Sequence, residues 1–131
     1  MNKDEIVREI TKLGINREMF WVVGSASLVL RGLVQTAADI DIAITEFGFE
    51  ILKEKYDLVY LGNNGCDWYK INDIIECSVD KKTVENVDTY EPYNLLNLKY
   101  YYDNFLKNSN REKDALKKAI VKNALYNYYR K

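Results

Sequence analysis

Two short stretches decide how this chain folds: Val22-Val23-Gly24-Ser25 and, further along, Ala38-Asp39-Ile40-Asp41-Ile42. The first reads as an apolar strand that runs into a glycine-serine bend, and the second as a strand that alternates acidic and apolar residues. Because side chains alternate across a strand, Asp39 and Asp41 are expected on one face. Neighbouring carboxylates repel each other unless a cation lies between them. Carboxylates suit Mg²⁺, which shares its shell with water and substrate phosphates, so the pair predicts a magnesium site.

The glycine-serine bend adds a second part to this site. If a helix begins at Gly24 and Ser25, its first backbone N–H groups can bind phosphate oxygens. Combined with the paired carboxylates, that arrangement is typical of metal-dependent chemistry on a nucleotide. Two plainer interpretations stay open. The bend can be a simple turn with a helix cap, and the acids can lie on the solvent side of an edge strand.

The composition excludes several classes of function. The chain has 131 residues, of which 47% are hydrophobic, and this fits one globular domain with a sizeable core. Its formal net charge is −1, so nothing indicates a protein that coats duplex nucleic acid. The sequence contains no histidine, which removes Ser-His-Asp and Cys-His nucleophile systems and HExxH zinc sites. Acid–base chemistry and metal binding therefore fall to carboxylates.

Redox and targeting signals favour the cytoplasm. Cys66 and Cys77 lie in no CxxC motif, which fits a reducing compartment. The charged N-terminus, residues 2–5, lacks the apolar run of a signal peptide, and no stretch is apolar for long enough to cross a bilayer. We therefore expect a cytoplasmic protein that does not bind a membrane.

Hydrophobic periodicity predicts an α/β (α+β) fold, in which a short mixed sheet is flanked by helices and followed by two C-terminal helices. Residues 1–131 read as a single domain, with a core at about 19–80 and C-terminal helices at about 92–129. Pro92 is expected in the first turn of a helix, where the missing N–H costs nothing. The predicted helices cover about 3–13, 26–33, 46–55, 92–107 and 111–129, and the predicted strands cover 19–23, 38–44, 57–61, 67–71 and 74–79.

A third acid is expected near the pair, because two-metal phosphoryl chemistry needs charge on both sides of the reacting phosphate. Glu76, in the strand Ile75-Glu76-Cys77, is the best candidate, and Asp80 at the end of that strand is the second. Asp73 fits a turn better. For Glu76, an ordinary half-exposed strand position remains the alternative.

Taken in order, these motifs resemble the nucleotidyltransferase superfamily, which has the polymerase-β-like fold. That family has an apolar-Gly-Gly/Ser bend, a downstream acid-apolar-acid strand and a third acid between apolar residues. The corresponding residues here are Val23-Gly24-Ser25, Asp39-Ile40-Asp41-Ile42 and Ile75-Glu76-Cys77. The match covers about residues 19–79, so the resemblance implies a mixed sheet flanked by helices.

A weaker part of the resemblance lies in the C-terminal helices. Lys99 and the run Arg111-Glu112-Lys113-Asp114 are similar to a lysine and an R-x-K-D run in two branches of the family. These are the aminoglycoside and lincosamide nucleotidyltransferase-like branch and the abortive-infection toxin-like branch. The alternatives are a surface lysine for Lys99 and a local helix ion pair between Arg111 and Asp114.

The resemblance also implies a mechanism. Asp39 and Asp41 would bind Mg²⁺, with Glu76 as a metal ligand or as the base that activates the acceptor hydroxyl. The triphosphate of ATP or another NTP would lie against Gly24-Ser25, with Lys99 near the phosphates. The reaction would transfer a nucleoside monophosphate to a hydroxyl of a small molecule, a protein or an RNA and release pyrophosphate.

One departure from the family pattern leaves a second function open. Gln35 stands where relatives often have a cation shortly before the first acid, and Arg31 in the preceding helix is a candidate to compensate. The alternative is a catalytically weak or inactive nucleotide-binding module, such as a toxin–antitoxin component. Because the chain is short for a member with its own acceptor domain, a homodimer or a partner chain can complete the cleft.

Overall fold

A computed structural model describes residues 1–129, apart from the side chain of Tyr129. It has five helices and a seven-stranded mixed sheet, which confirms the predicted α+β class with two C-terminal helices. The helices are α1 (Lys3–Thr11), α2 (Gly24–Leu30), α3 (Glu46–Lys55), α4 (Leu98–Tyr101) and α5 (Ala115–Tyr129). The strands are β1 (Phe20–Val23), β2 (Ile40–Ile44), β3 (Val59–Asn63), β4 (Asp67–Lys70), β5 (Ile75–Ser78), β6 (Val87–Asp88) and β7 (Leu95–Leu96).

The strand order in the sheet is β3-β4-β5-β2-β1-β7-β6, which puts β2 at the centre. This strand pairs antiparallel with β1 on one side and parallel with β5 on the other. In the parallel pair, Asp41 lies opposite Glu76. The two strands that carry the predicted acids are therefore neighbours, and their carboxylates start from the same level of the sheet.

Alternation along the strands gives the sheet two different faces. One face carries the isoleucines of β2 and packs with Ile6 and Ile10 of α1 and Leu52 of α3 in the larger core. The other face carries Ala43, which packs with Tyr101 and other residues of the C-terminal part in a smaller core. Because Asp41 and Ala43 are two residues apart on one strand, the acids share the face that the C-terminal helices cover.

Local signals account for the helix that follows the central strand. The hydroxyl of Thr45 accepts a hydrogen bond from the N–H of Gly48 and caps α3, whose bounds agree with the prediction. Glycine is a poor helix former, but the missing side chain of Gly48 lets α3 approach the sheet. A β-carbon on residue 48 would lie 2.8 Å from Cγ1 of Ile44.

The helix predicted to start at Pro92 is wrong in its first part. Arg17 holds residues 90–94, since it donates to the Glu91 carboxylate, the Tyr90 carbonyl and the Asn94 side chain. Leu95 then pairs with β1 as part of β7, and α4 begins only at Leu98. Proline permits a helix start, but these tertiary contacts keep the segment extended.

Other predicted bounds shift by a few residues. The helix α2 begins at Gly24 rather than residue 26 and ends at Leu30, and β3 begins at Val59 rather than residue 57. The sheet is wider than predicted because of β6 and β7, which have two residues each. Among the helices of residues 1–129, none combines the length and apolar character that a membrane span needs.

Candidate functional site

An open cavity of about 1290 Å³ lies between the acid-bearing face of the sheet and the C-terminal part of the chain. Gly24 and Ser25, at the start of α2, line it together with Asp39 and Asp41. Asp39 is exposed in the bend just before β2, whereas Asp41 is half-buried within the strand. The bend and the acid pair singled out in the sequence therefore open on the same space.

The bend packs directly against the second acid. Val23 pairs with Asp41 across β1 and β2, so Gly24 turns over the carboxylate. Gly24 has φ +64°, and a β-carbon there would lie 3.3 Å from Oδ2 of Asp41. Residues with a side chain adopt this backbone only at a cost, so both the bend and the carboxylate favour glycine.

Asp41 lies in an environment that opposes its charge. The pKa of Asp41 is raised from 3.8 to about 7, and burial is the largest cause. The negative charges of Asp39 and Glu76 and a hydrogen bond with Glu76 contribute to this rise. Lys117 acts in the opposite direction. A divalent cation beside these oxygens would relieve the repulsion, so the donor set has the chemistry that Mg²⁺ prefers.

Glu76 lies beside Asp41 on the neighbouring strand and is hydrogen-bonded to it. Glu76 is not among the described residues that line the cavity, whereas Asp80, the second candidate, is. Within residues 1–129, no group of three or more carboxylate or cysteine side chains is arranged to hold a metal ion. The fold thus brings Glu76 beside Asp41, but within the described residues it does not gather Asp39, Asp41 and Glu76 into a three-carboxylate metal site.

Three cations face the carboxylates from the C-terminal part of the chain: Arg111, Lys113 and Lys117 all line the cavity. Asp114 is only 5% exposed and lies 3.8 Å from Nε of Arg111 and 3.7 Å from Nζ of Lys117. It also accepts a hydrogen bond of 2.7 Å from the Ser109 hydroxyl. This buried carboxylate therefore orients two of the three cations.

Lys117 lines the cavity, although the sequence interpretation did not single it out. Its relation to Asp114 was visible as a spacing of three residues on a helix, which places two side chains on one face. The R-x-K-D run was noted, but Lys117 in the next turn of the helix was not singled out. The structure instead directs this turn at Asp41, whose pKa Lys117 lowers.

Two other basic residues lie away from the predicted positions. Lys99 donates a hydrogen bond of 2.6 Å to Asp103 on the protein surface and lies outside the cavity lining. Its predicted contact with phosphates therefore does not fit its position. Arg31 donates to Asp88 at 2.7 Å and to the Leu96 carbonyl at 2.9 Å. These contacts join α2 to β6 and β7. Arg31 is therefore not placed to compensate for Gln35, which stands where the family that the chain resembles often has a cation.

The half of the cavity away from Gly24 and Asp41, called here the far half, is bounded by α3 and by the loop after β5. Phe47 is 68% exposed there, and Glu46 forms an ion pair of 2.6 Å with Lys81 of the loop. The loop is anchored from below, because the indole N–H of Trp21 donates to the buried hydroxyl of Thr83 at 2.9 Å. This half has aromatic and charged groups of both signs.

Comparisons with known proteins add no relative: no family model, no curated protein and no solved structure matches the chain. The chemistry of the site therefore rests on its own side chains. Paired carboxylates face three cations across an open cavity, with a glycine bend at one edge. Such a layout can hold a polyphosphate and a divalent cation together.

Proposed function

We propose that the chain is a Mg²⁺-dependent nucleotidyltransferase, which transfers a nucleoside monophosphate from ATP or another NTP to a hydroxyl acceptor. The observation that carries the proposal is the contact between Gly24 and Asp41 at the wall of the cavity. A glycine bend over an acid-apolar-acid strand is the feature on which the resemblance to the nucleotidyltransferase superfamily depends. The mixed sheet with flanking helices is consistent with the polymerase-β-like fold of that family.

The metal would be held by Asp39 and Asp41, with Glu76 supporting Asp41 from the neighbouring strand. When bound, Mg²⁺ supplies positive charge and orientation to the reacting phosphate. The carboxylates are suited to this task because they repel each other and because Asp41 is partly withdrawn from water. Binding a cation would therefore convert an unfavourable charge cluster into a favourable one.

The phosphates would lie between the carboxylates and the C-terminal cations. Arg111, Lys113 and Lys117 offer N–H donors to phosphate oxygens, and these charge-assisted bonds are stronger than neutral ones. Asp114 keeps two of these side chains in place before the nucleotide binds. The backbone at Gly24-Ser25 contacts the opposite side of the triphosphate.

The transfer itself is a substitution at the α-phosphorus. The acceptor oxygen forms a bond to this phosphorus, and the bond to the oxygen that bridges to the β-phosphate breaks. The electron pair leaves with pyrophosphate, and the hydroxyl proton passes through water to Glu76, which does not itself line the cavity. The protein contributes by positioning the reactants and stabilising charge, as is general for phosphoryl-group chemistry.

The acceptor would occupy the far half of the cavity, beside Phe47 and the loop after β5. The volume of about 1290 Å³ exceeds the roughly 300–1,000 Å³ of ordinary small-ligand pockets. It therefore leaves room for a hydroxyl compound, a protein segment or an RNA end beside the nucleotide. A homodimer or a partner chain that completes this cleft, and a cytoplasmic location, stay predictions from the sequence.

Label transfer tests the proposed activity. The purified chain is incubated with Mg²⁺, each α-³²P-labelled NTP in turn and the small-molecule, protein or RNA fraction of a cell extract. We expect one fraction to become labelled, with pyrophosphate released, and Asp39→Asn or Asp41→Asn to abolish both signals. Asp73→Asn is the matched control, because Asp73 is an exposed turn residue paired with Lys70. Equal activity in all variants would contradict the proposal.

One observation favours a second candidate function, a nucleotide-binding module without turnover such as a toxin–antitoxin component. Glu76 is hydrogen-bonded to Asp41 and lies outside the cavity lining, so a base that reaches the acceptor directly is missing at this position. Gln35 also favours this second candidate, because members of the superfamily that the chain resembles often have a cation at that position. Binding of Mg²⁺-ATP by the wild-type chain without label transfer to any fraction would support the module over the enzyme.

A further inference from the structure

The cavity wall opposite the sheet carries an aromatic cluster that the phosphate chemistry does not use. The helix α4 continues into a π-helical turn, Tyr102–Leu106, and Phe105 of this turn lines the cavity with 50% of its surface exposed. Single π-helical turns occur frequently at functional sites, since the wider turn redirects a side chain. A half-exposed ring that lines an open cavity offers a flat apolar face on which a ligand ring can stack.

Two tyrosines hold the Phe105 ring from behind. Its centroid lies 6.2 Å from the Tyr100 ring at 57°, and 6.1 Å from the Tyr101 ring at 67°. Tyr101 is only 6% exposed and belongs to the smaller core. Consecutive side chains point around a regular helix, so two neighbouring tyrosines do not ordinarily face one ring. Here both contact the same phenylalanine, which is therefore a supported platform rather than a mobile surface ring.

The platform lies one ring away from the carboxylates. Tyr101 contacts Phe105 on one side, and on the other its hydroxyl is close enough to Asp114 and Asp41 for their charges to act on it. Burial, with these two charges, raises the pKa of Tyr101 to about 12, so the hydroxyl stays protonated. Phe105, Asp41 and the C-terminal cations also line one cavity. That cavity can therefore hold a base on Phe105 and the phosphates of the same nucleotide at the cations.

We propose that Phe105, supported by Tyr100 and Tyr101, is the stacking platform for the nucleobase and that it favours purine nucleotides. The inference rests on the proposed function, because it assigns the base of the same NTP. Fused purine rings cover more of the phenylalanine than a single pyrimidine ring does. Asn104 also lines the cavity, and its amide donates to the Tyr100 carbonyl at 3.0 Å. This bond orients the side-chain oxygen, which can accept from a purine amino group.

Calorimetry with two probes separates base binding from phosphate binding. The probes are the Mg²⁺ complexes of α,β-methylene-ATP, which carries a base, and of tripolyphosphate, which does not. We expect Phe105→Ala to weaken binding of the ATP analogue roughly ten-fold while tripolyphosphate binding changes less than about two-fold. Phe105→Trp should retain the affinity for the analogue, and the α,β-methylene analogue of CTP should bind the wild type more weakly.

Tyr126→Ala is the matched control, because Tyr126 is an aromatic residue that is 64% exposed but does not line the cavity. It should leave both affinities unchanged. If Phe105→Ala does not fold, as judged by circular dichroism, Phe105→Leu removes the ring face while keeping apolar bulk.

The outcomes that overturn the inference differ from those that overturn the proposed function. One outcome is that the wild type binds both probes and that the Phe105 variants bind the ATP analogue as tightly as the wild type. Phe105 is then not the base platform, but the proposed function is not contradicted. An equal loss for both probes would assign Phe105 a structural role and overturn the inference as well. If the wild type binds neither probe, the proposed function fails, and the base platform fails with it.

Discussion

The backbone of Gly24 lies over the carboxylate of Asp41, so one residue shapes both the bend and the acid site. Gly24→Ala introduces a methyl group 3.3 Å from Oδ2 of Asp41 at a position where φ is +64°. We expect a loss of about 1–2 kcal/mol in the free energy of unfolding, from backbone strain. We also expect weaker Mg²⁺-nucleotide binding, because the carboxylate must move. Urea unfolding and calorimetry measure the two effects.

Gly32→Ala provides the control for this substitution. Gly32 has a φ of +79°, but a β-carbon there would meet no atom within 4 Å. Gly32→Ala should therefore cost similar stability and leave nucleotide binding intact. If both variants bind nucleotide equally well, the contact between residue 24 and Asp41 has no role in the site.

Stability should fall as pH rises toward neutrality. Asp41 ionises near pH 3.8 in the unfolded chain and near pH 7 in the folded protein. Between these values the folded state keeps a proton that the unfolded state has lost, so the free energy of unfolding decreases with pH, by a few kcal/mol at most. Asp41→Asn should flatten this dependence and be more stable than the wild type at pH 8. Urea unfolding of both proteins at pH 5 and pH 8 measures this change. A free energy of unfolding that falls more steeply with pH in Asp41→Asn than in the wild type would contradict the prediction.

Asp114→Asn should weaken nucleotide binding without unfolding the protein. The amide keeps the shape of the buried side chain but removes the charge that orients Arg111 and Lys117. We expect the KM for NTP to rise about ten-fold, with a smaller change in kcat, because the cations act mainly in binding. Asp103→Asn is the control, since Asp103 pairs with Lys99 outside the cavity lining. Similar kinetics for both variants would contradict the positioning role of Asp114.

Lys117 rather than Lys99 is expected to contact the phosphates. Lys117 lines the cavity, and its charge lowers the pKa of Asp41. Lys117→Ala removes this cation, so the affinity for tripolyphosphate should fall several-fold. Lys99→Ala changes an exposed ion pair with Asp103, which is worth little in water. Equilibrium dialysis of both variants tests the difference. A larger loss for Lys99→Ala would restore the original prediction for that residue.

The parts of the site that could be predicted from the sequence depend on local patterns. Strand alternation predicts Asp39 and Asp41 on one face, but β2 begins only at Ile40, so Asp39 lines the cavity from the bend before the strand. A glycine after an apolar strand predicts the bend that packs on Asp41. The predicted bounds of α3 agree with the structure, in which Thr45 caps the helix. Glu76 was found because an acid between apolar residues fits the next strand, and the parallel pairing of β2 with β5 brings it to Asp41.

The rest depends on contacts between distant parts of the chain. The strands β6 and β7 have two residues each, which is too short to show alternation. The segment around Pro92 is held by Arg17, which lies more than seventy residues earlier. Lys117 lines the cavity and Lys99 does not, because α5 packs beside the π-helical turn. No local pattern in the sequence indicates that turn.

The most direct measurement is calorimetric titration of α,β-methylene-ATP with and without Mg²⁺, into the wild type and the double variant Asp39→Asn, Asp41→Asn. Asp73→Asn serves as the control for surface charge. We expect Mg²⁺-dependent binding to the wild type and to Asp73→Asn, and none to the double variant, because the paired carboxylates hold the metal with the nucleotide. Mg²⁺-dependent binding that is equally tight in the double variant would contradict the account.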